Sequence, residues 1–416
     1  MKVQRLRSTQ ILLLTILFLF PATGFGKLFK VSSGSISIQS AINVAHDGDT
    51  LFITAGKYLQ HDIVVNKRIT ILGEPNAIID AVSKYQGFLI QHDSVFIQGI
   101  QVSNTGRTAV TDMAGIKVIN AKGVRIFNCK LINNSFGIYL QNSTACTVSN
   151  NLVQSTIANE INGGNGIHAW KSGNLLINNN VVSGHRDGIY FEFVTDSKIL
   201  SNRSEHNLRY GLHFMFSNND AYSKNVFQDN GAGVAVMYSN HVLMTDNIFT
   251  HNWGEAAYGL LLKDITDSKI LHNRFIKNTV AIYMEGTTRV DVKRNLIEDN
   301  GWALRVQASC SGSNFNENNF LGNSFDVATN GTLMLNYFDR NFWDKYDGYD
   351  LNKDNIGDVP YYPVSMYSVV TEKIPPAMIL YHSVFTNVLD EVEKVLPTLT
   401  PDKLKDDHPA MRKIAL

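Results

Sequence analysis

From Ala114 to Phe325 a small residue repeatedly opens a short apolar–polar alternation. The motif reads GIKV at Gly115, GIYL at Gly137, GIHA at Gly166, GIYF at Gly188 and GLHF at Gly211. It continues as GVAV at Gly233, GLLL at Gly259, AIYM at Ala281 and ALRV at Ala303. Successive steps are 22, 29, 22, 23, 22, 26, 22 and 22 residues. A second register consists of Asn151, Asn180, Asn202, Asn225, Asn247, Asn273, Asn295 and Asn318, with Cys129 in the equivalent place one step earlier. Its steps are 22, 29, 22, 23, 22, 26, 22 and 23. Insertions shift both registers together, as in a solenoid of stacked coils.

Strand periodicity narrows the type of solenoid. The first and third residues after each glycine are apolar (Ile116 and Val118, Ile138 and Leu140, Leu212 and Phe214), so they share one face. The second and fourth are mixed and are expected to face solvent or a partner. Phe227, Phe249, Phe275 and Phe320 form an inward column two residues past the asparagines. Leucine-rich repeats have a similar period, but their signature is absent. The pattern predicts an all-β fold, a right-handed parallel β-helix of about 22 residues per coil. Asparagine suits the corners, because it tolerates left-handed backbone and stacked amides bond from coil to coil. A second polar column follows five residues on: Asn134, Thr156, His185, Asn207, Asn230, Asn252, Asn278, Asn300 and Asn323.

The ends differ from the middle. Residues 1–26 have basic residues, an apolar run from Ile11 to Phe20 and then small residues, the layout of an export signal. No cysteine follows it, which argues against a lipid anchor. Ile38, Ala41, Ile42 and Ala45 fall on one helical face, predicting a helix that plugs the open end of the solenoid. The β-helix is expected over 27–335 and a loop-rich segment over 336–371. An amphipathic helix and tail should fill 372–416. Met378, Tyr381, Phe385, Val388, Val392 and Val395 give Ala377 to Leu396 an apolar stripe for capping the last coil or docking on a membrane partner. The tail from Thr398 is polar and expected to be mobile.

Composition excludes more than it suggests. Thirty-seven basic residues balance thirty-seven acidic ones, so no electrostatic case exists for binding nucleic acid. The three cysteines, Cys129, Cys146 and Cys310, are placed for burial rather than pairing. Asp350, Asn352, Asp354 and Asp358 alternate oxygen donors as in a calcium loop, although the terminal glutamate of such loops is missing. A solvated turn fits the same residues.

Candidate chemistry is most legible beside the glycines. Stacked coils put Met215 next to Met237, with His213 two residues away and Phe216 and Tyr238 flanking. Thioether and imidazole together suit Cu(I), and an apolar docking patch would use the same residues. IQSAINVAHDGDTLFITAGKY near the N-terminus, GLHFMFSNND from Gly211, AVMYSN from Ala235 and NFWDKYDGYDLNKDNIGDVPYYP resemble the NosD family. The resemblance implies a periplasmic β-helix attached to an ABC ATPase and a membrane permease. It also implies copper passed from a copper-chaperone lipoprotein towards nitrous oxide reductase, with no enzymatic activity of the chain itself. Two alternatives use the same fold: a polysaccharide lyase or glycosidase, and a passive carbohydrate binder stacking sugars on Trp170, Tyr190 and Tyr283. A glycosidase needs two carboxylates ~5 to 9.5 Å apart. Glu192 and Glu285 on this column stand four coils apart, ~19 Å.

Overall fold

The computed structural model describes residues 26–108, 110–156, 163–254, 257–331, 335–380 and 404–416, with Ser383, Val384, Thr386, Val388 and Leu389. Nearly all of the export-signal layout lies outside them. The chain is the expected parallel β-helix. Three sheets of 14, 12 and 13 strands run its length, each strand pairing with its equivalents one coil before and after. The first runs from Leu28–Val31 to Leu335–Asp339, the second from Ile63–Val65 to Phe325–Ala328, and the third from Gly56–Tyr58 to Phe342–Trp343. The second sheet carries the glycine motif.

Each coil buries one side chain from every strand position that faces inward. Ile116, Val118, Leu212, Phe214, Val234 and Val236 are fully buried, as the alternation predicts. The phenyl column stacks, with Phe227 and Phe249 centroids 5.5 Å apart and Phe249 and Phe275 4.5 Å apart. Phe320 closes the column on Trp343 at 4.0 Å. The glycines stand where coils crowd each other. A Cβ on Gly211 would lie 2.7 Å from the Gly233 carbonyl oxygen and 2.8 Å from Asn230 Nδ2. No side chain fits there.

The asparagine column is a continuous hydrogen-bonded ladder. Asn247 is typical: its amide N and its Nδ2 both donate to Asn273 Oδ1, at 2.9 and 3.0 Å. Its own Oδ1 accepts the same pair from Asn225, and Nδ2 also reaches the Tyr222 carbonyl at 3.0 Å. Left-handed backbone belongs to a neighbour rather than to the ladder residues. Asn150, Asn179, Ser201, Lys224 and Asp246, each just before a rung, have φ of 56, 55, 55, 58 and 56°. The corner therefore selects asparagine for its amide. The second column makes an equivalent ladder from Asn207 to Asn323.

Both ends of the solenoid are closed. Helix α1 (Ile38–Val44), capped by Ser37, buries Ile38, Ala41 and Ile42 as expected. At the other end two expectations change. An α-helix forms earlier than the apolar stripe suggested: α2 (Met366–Lys373) follows the Ser365 cap and packs on Phe325–Ala328, Ser368 Oγ donating to the Val327 carbonyl. A 3-10 turn continues through Pro375–Leu380. Most of the expected helix from Ala377 to Leu396 lies outside the described residues. The tail expected to be mobile is instead docked over 404–416. Asp406 bridges to Phe338 and Tyr361, and Ala410 to Phe342 and Ile356. The reason is the ladder itself. Its last rung, Asn341, donates one Nδ2 hydrogen to the Phe315 carbonyl at 2.7 Å and would leave the other and its amide N–H unmet, and Asp406 Oδ2 accepts these from N and Nδ2 at 3.0 and 2.9 Å. The same oxygen accepts from Trp343 Nε1 at 3.1 Å.

Asn247→Leu removes an acceptor for Asn225 and donors to Tyr222 and Asn273, all in a dry corner. Each unmet group costs ~1–3 kcal/mol, so chemical denaturation should show a loss of about 3 kcal/mol. Unchanged stability would exclude the ladder as a structural element.

Burial raises the Asp220 carboxyl to about 8. Its Oδ1 accepts from Ser197 N at 2.8 Å, while Oδ2 has no partner among the described residues. A folded-state value above the unfolded 3.8 gives stability that is complete below 3.8 and lost as pH rises through 8. Asp220→Asn should therefore melt higher than wild type, with the gap widening between pH 4 and 8 and constant above. A gap independent of pH would contradict the shift.

Candidate functional site

The outer face of the second sheet holds three columns of side chains. The glycine corner reverses the alternation, so the residue before each glycine also points outward. The first column includes Phe136, Asn165, Asp187, Tyr210, Tyr258 and Trp302. The second is Tyr139, His168, Tyr190, His213, Ala235, Leu261 and Tyr283. The third is Trp170, Glu192, Met215, Met237, Lys263 and Glu285. Strand register fixes these neighbours: Tyr190 pairs His213, His213 pairs Ala235, Glu192 pairs Met215, and Met215 pairs Met237.

From Tyr139 to Ala235 the second column is buried, where alternation had placed it facing solvent or a partner, while Leu261 and Tyr283 stay half-buried. Tyr139, His168, Tyr190 and His213 alternate as a ring stack with centroid spacings of 4.4, 4.8 and 4.9 Å. Each ring covers the next and is flanked by the first column: Phe136 lies 5.5 Å from His168, and Tyr210 4.8 Å from His213. His213 is only 5% exposed. Burial pulls the His168 imidazole down to about 3, so it is neutral. Its Nδ1 lies 3.0 Å from Asn165 Nδ2.

Beneath His213 sits a polar cluster that the glycine spacing did not reveal. Asp187 is fully buried. Arg209 grips it with two bonds, Nε to Oδ1 at 2.9 Å and Nη2 to Oδ2 at 2.5 Å, and His213 Nδ1 approaches Oδ2 at 3.4 Å. Burial pushes the Asp187 carboxyl up, and these two partners more than reverse the effect, leaving it below the ordinary value. Its signal in the sequence was its place before Gly188, a column the alternation assigns inward.

Met215 and Met237 are both half-buried at the end of their strands. The Tyr190 hydroxyl reaches Met215 Sδ at 3.6 Å. Phe193, Phe216 and Tyr238 follow Glu192, Met215 and Met237 and stack as an exposed ladder at 5.1 Å spacing. Their φ angles are 53, 52 and 52°, a left-handed conformation that costs an aromatic residue ~1–2 kcal/mol. Stability alone would favour asparagine or glycine here, so the aromatic choice points to a contact. His213, Met215 and Met237 thus share one face and offer soft nitrogen and sulfur donors.

Other candidates are less well assembled. Asp350, Asn352, Asp354 and Asp358 share one loop, but their oxygens mostly accept from its backbone. Asp350 takes Asp354 N and Asn355 N, Asn352 takes Asp354 N, Asp354 takes Ile356 N, and Asp358 takes Leu351 N. No group of three or more His, Cys, Asp or Glu among the described residues is gathered as an ion requires. The three cysteines are buried separately, and burial holds the Cys129 thiol up at about 12. No helix among the described residues is long and apolar enough to cross a membrane.

Residues 153–348 match the family model described as periplasmic copper-binding protein (NosD). The chain is 25% identical to a probable ABC transporter binding protein NosD of Stutzerimonas stutzeri, over 88% of each chain. It is 26% identical to the protein of that name from Pseudomonas aeruginosa, covering 88% of this chain and 89% of that one. Among solved structures it resembles an α-1,3-glucanase catalytic unit from Streptomyces thermodiastaticus, with TM-score 0.59, 14% identity and 78% and 70% coverage. The A-module of a mannuronan C-5 epimerase from Azotobacter vinelandii gives 0.57, 14%, and 71% and 94%. Those two likenesses concern the fold alone.

Phe216→Asn should leave the melting temperature unchanged or raise it, since asparagine tolerates the left-handed backbone and the lost stacking is exposed. A loss above ~2 kcal/mol would show instead that the aromatic ladder stabilises the fold.

Proposed function

We propose a copper-handling role from one premise, membership of the NosD family: residues 153–348 match its model, described as a periplasmic copper-binding protein, and two relatives of that name align over 88% of this chain. In this reading the chain accepts Cu(I) on the outer face of its second sheet and passes it on during maturation of nitrous oxide reductase. A copper-chaperone lipoprotein is the donor and the reductase the acceptor. The relatives' name as ABC transporter binding proteins supports an ATPase and a permease as partners, which would hold the chain at the inner membrane.

The observation that carries the reading is the register pairing of Met215 with Met237, two residues along the strand from His213. Flexible thioethers on adjacent strands, ~4.8 Å apart, can converge on one soft cation. Three protein donors leave room for a ligand from the donor or acceptor, which suits transfer rather than storage. The carbohydrate-enzyme reading has the shared fold in its favour, and fold does not decide chemistry. Asp187 adds a carboxylate to this face, but it is buried and held by Arg209.

A Met215→Leu, Met237→Leu double variant separates a metal relay from an apolar docking patch, because leucine keeps the apolar area and removes sulfur. Copper loading of the reductase should fall at least tenfold in rate. Normal loading would leave docking as the role of these methionines.

A further inference from the structure

His213 stands in the middle column, and its two ring nitrogens meet different surroundings. Nδ1 lies 3.4 Å from Asp187 Oδ2, one coil back and on the first column. An ionised carboxylate can only accept, so Nδ1 carries the hydrogen of this contact, and the lone pair available to a ligand is the one on Nε2. Nε2 is buried and has no hydrogen-bond partner among the described residues.

The direction of Nε2 follows from the direction of Nδ1. The two nitrogens lie on roughly opposite edges of the ring. With Nδ1 turned back towards Asp187 on the first column, the edge carrying Nε2 lies on the side away from that column. Met215 and Met237 occupy that side by register. Asp187 is itself immobilised, because Arg209 occupies both its oxygens and the carboxylate is fully buried.

We propose that Asp187, locked by Arg209, is the positioning residue that fixes His213 as the Nδ1–H tautomer and presents Nε2 to copper beside Met215 and Met237. This role rests on the copper reading above. Asp187 does not touch the metal; it sets the edge and the protonation of the imidazole that does. Carboxylates behind metal-binding histidines act this way, and losing one typically weakens binding 10–100-fold. Neither Asp187 nor Arg209 contributes to the apolar patch, so a docking role for the methionines would not require them.

Asp187→Asn tests the assignment at nearly constant shape. Arg209 Nε would keep the amide oxygen, in the Oδ1 place, as its acceptor while the Nη2 bond is lost, and the NH2 in the Oδ2 place would face His213, forcing Nδ1 to accept and Nε2 to carry the hydrogen. Two readouts apply to the purified chain. Nitrogen NMR of the metal-free protein, with labelled histidine, reports the tautomer of His213. Competition with a chromophoric Cu(I) chelator reports affinity. The expected result is an Nδ1–H tautomer in wild type, Nε2–H in Asp187→Asn, and Cu(I) binding ~10–100-fold weaker in the variant. Should the variant fail to fold, the wild-type spectrum still decides: an Nε2–H tautomer there overturns the proposal. If wild type and the double methionine variant hold Cu(I) equally, the copper site itself is wrong and the positioning role falls with it. If the methionine variant loses Cu(I) while Asp187→Asn binds like wild type, the copper site stands and the role of Asp187 is overturned.

Discussion

From Asn151 to Asn341 one buried asparagine per coil, bonded to the next, is the constraint on which this molecule depends. Each rung gives two donors forward and accepts two from behind, so no coil can slip without breaking bonds in a dry interior. The ladder therefore acts as a register device as well as a source of stability. It also explains the ends. The first rung donates nothing unusual: Cys129 N bonds Asn151 Oδ1 and the thiol sits where an amide would. The last rung, Asn341, has surplus donors, and the chain returns 65 residues later to supply Asp406. A terminal segment that looks dispensable by composition is drawn in by two unmet N–H groups.

A fixed register turns single residues into columns. Because every coil advances by one strand spacing, His213, Met215 and Met237 are neighbours by construction, and so are the rings of Tyr139, His168, Tyr190 and His213. The stack provides its own cover, which is why imidazoles on an outer face are buried. Aromatic residues at left-handed corners beside the methionines go against local preference. The strained corners and the soft donors coincide on the same coils.

The same scaffold in other proteins carries carbohydrate chemistry, and the difference lies in which side chains the columns present. On the third column the carboxylates are Glu192 and Glu285, and Asp187 on the first column is committed to Arg209 and His213. Sulfur and imidazole dominate the centre of the face. Those donors agree with the description of the family model that matches residues 153–348, a periplasmic copper-binding protein.

Period and alternation determined the coil, the inward phenylalanines, the asparagine column and the adjacency of Met215 to Met237. These follow from a backbone repeat that is independent of detail, and α1 followed from its apolar face and its place at the start of the chain. Tertiary structure alone decided the rest. The burial of His168 and His213 comes from rings stacked across coils, which alternation within a strand cannot express. Asp187 reaches the outer face because the glycine corner reverses the alternation, and its pairing with Arg209 and His213 crosses coils. The docking of Asp406 depends on a ladder end exposed only once the solenoid is built, and α2 forms where the last coil offers a surface. Local pattern is set by bonds along the chain, whereas these contacts belong to residues that only the stacking of coils brings together.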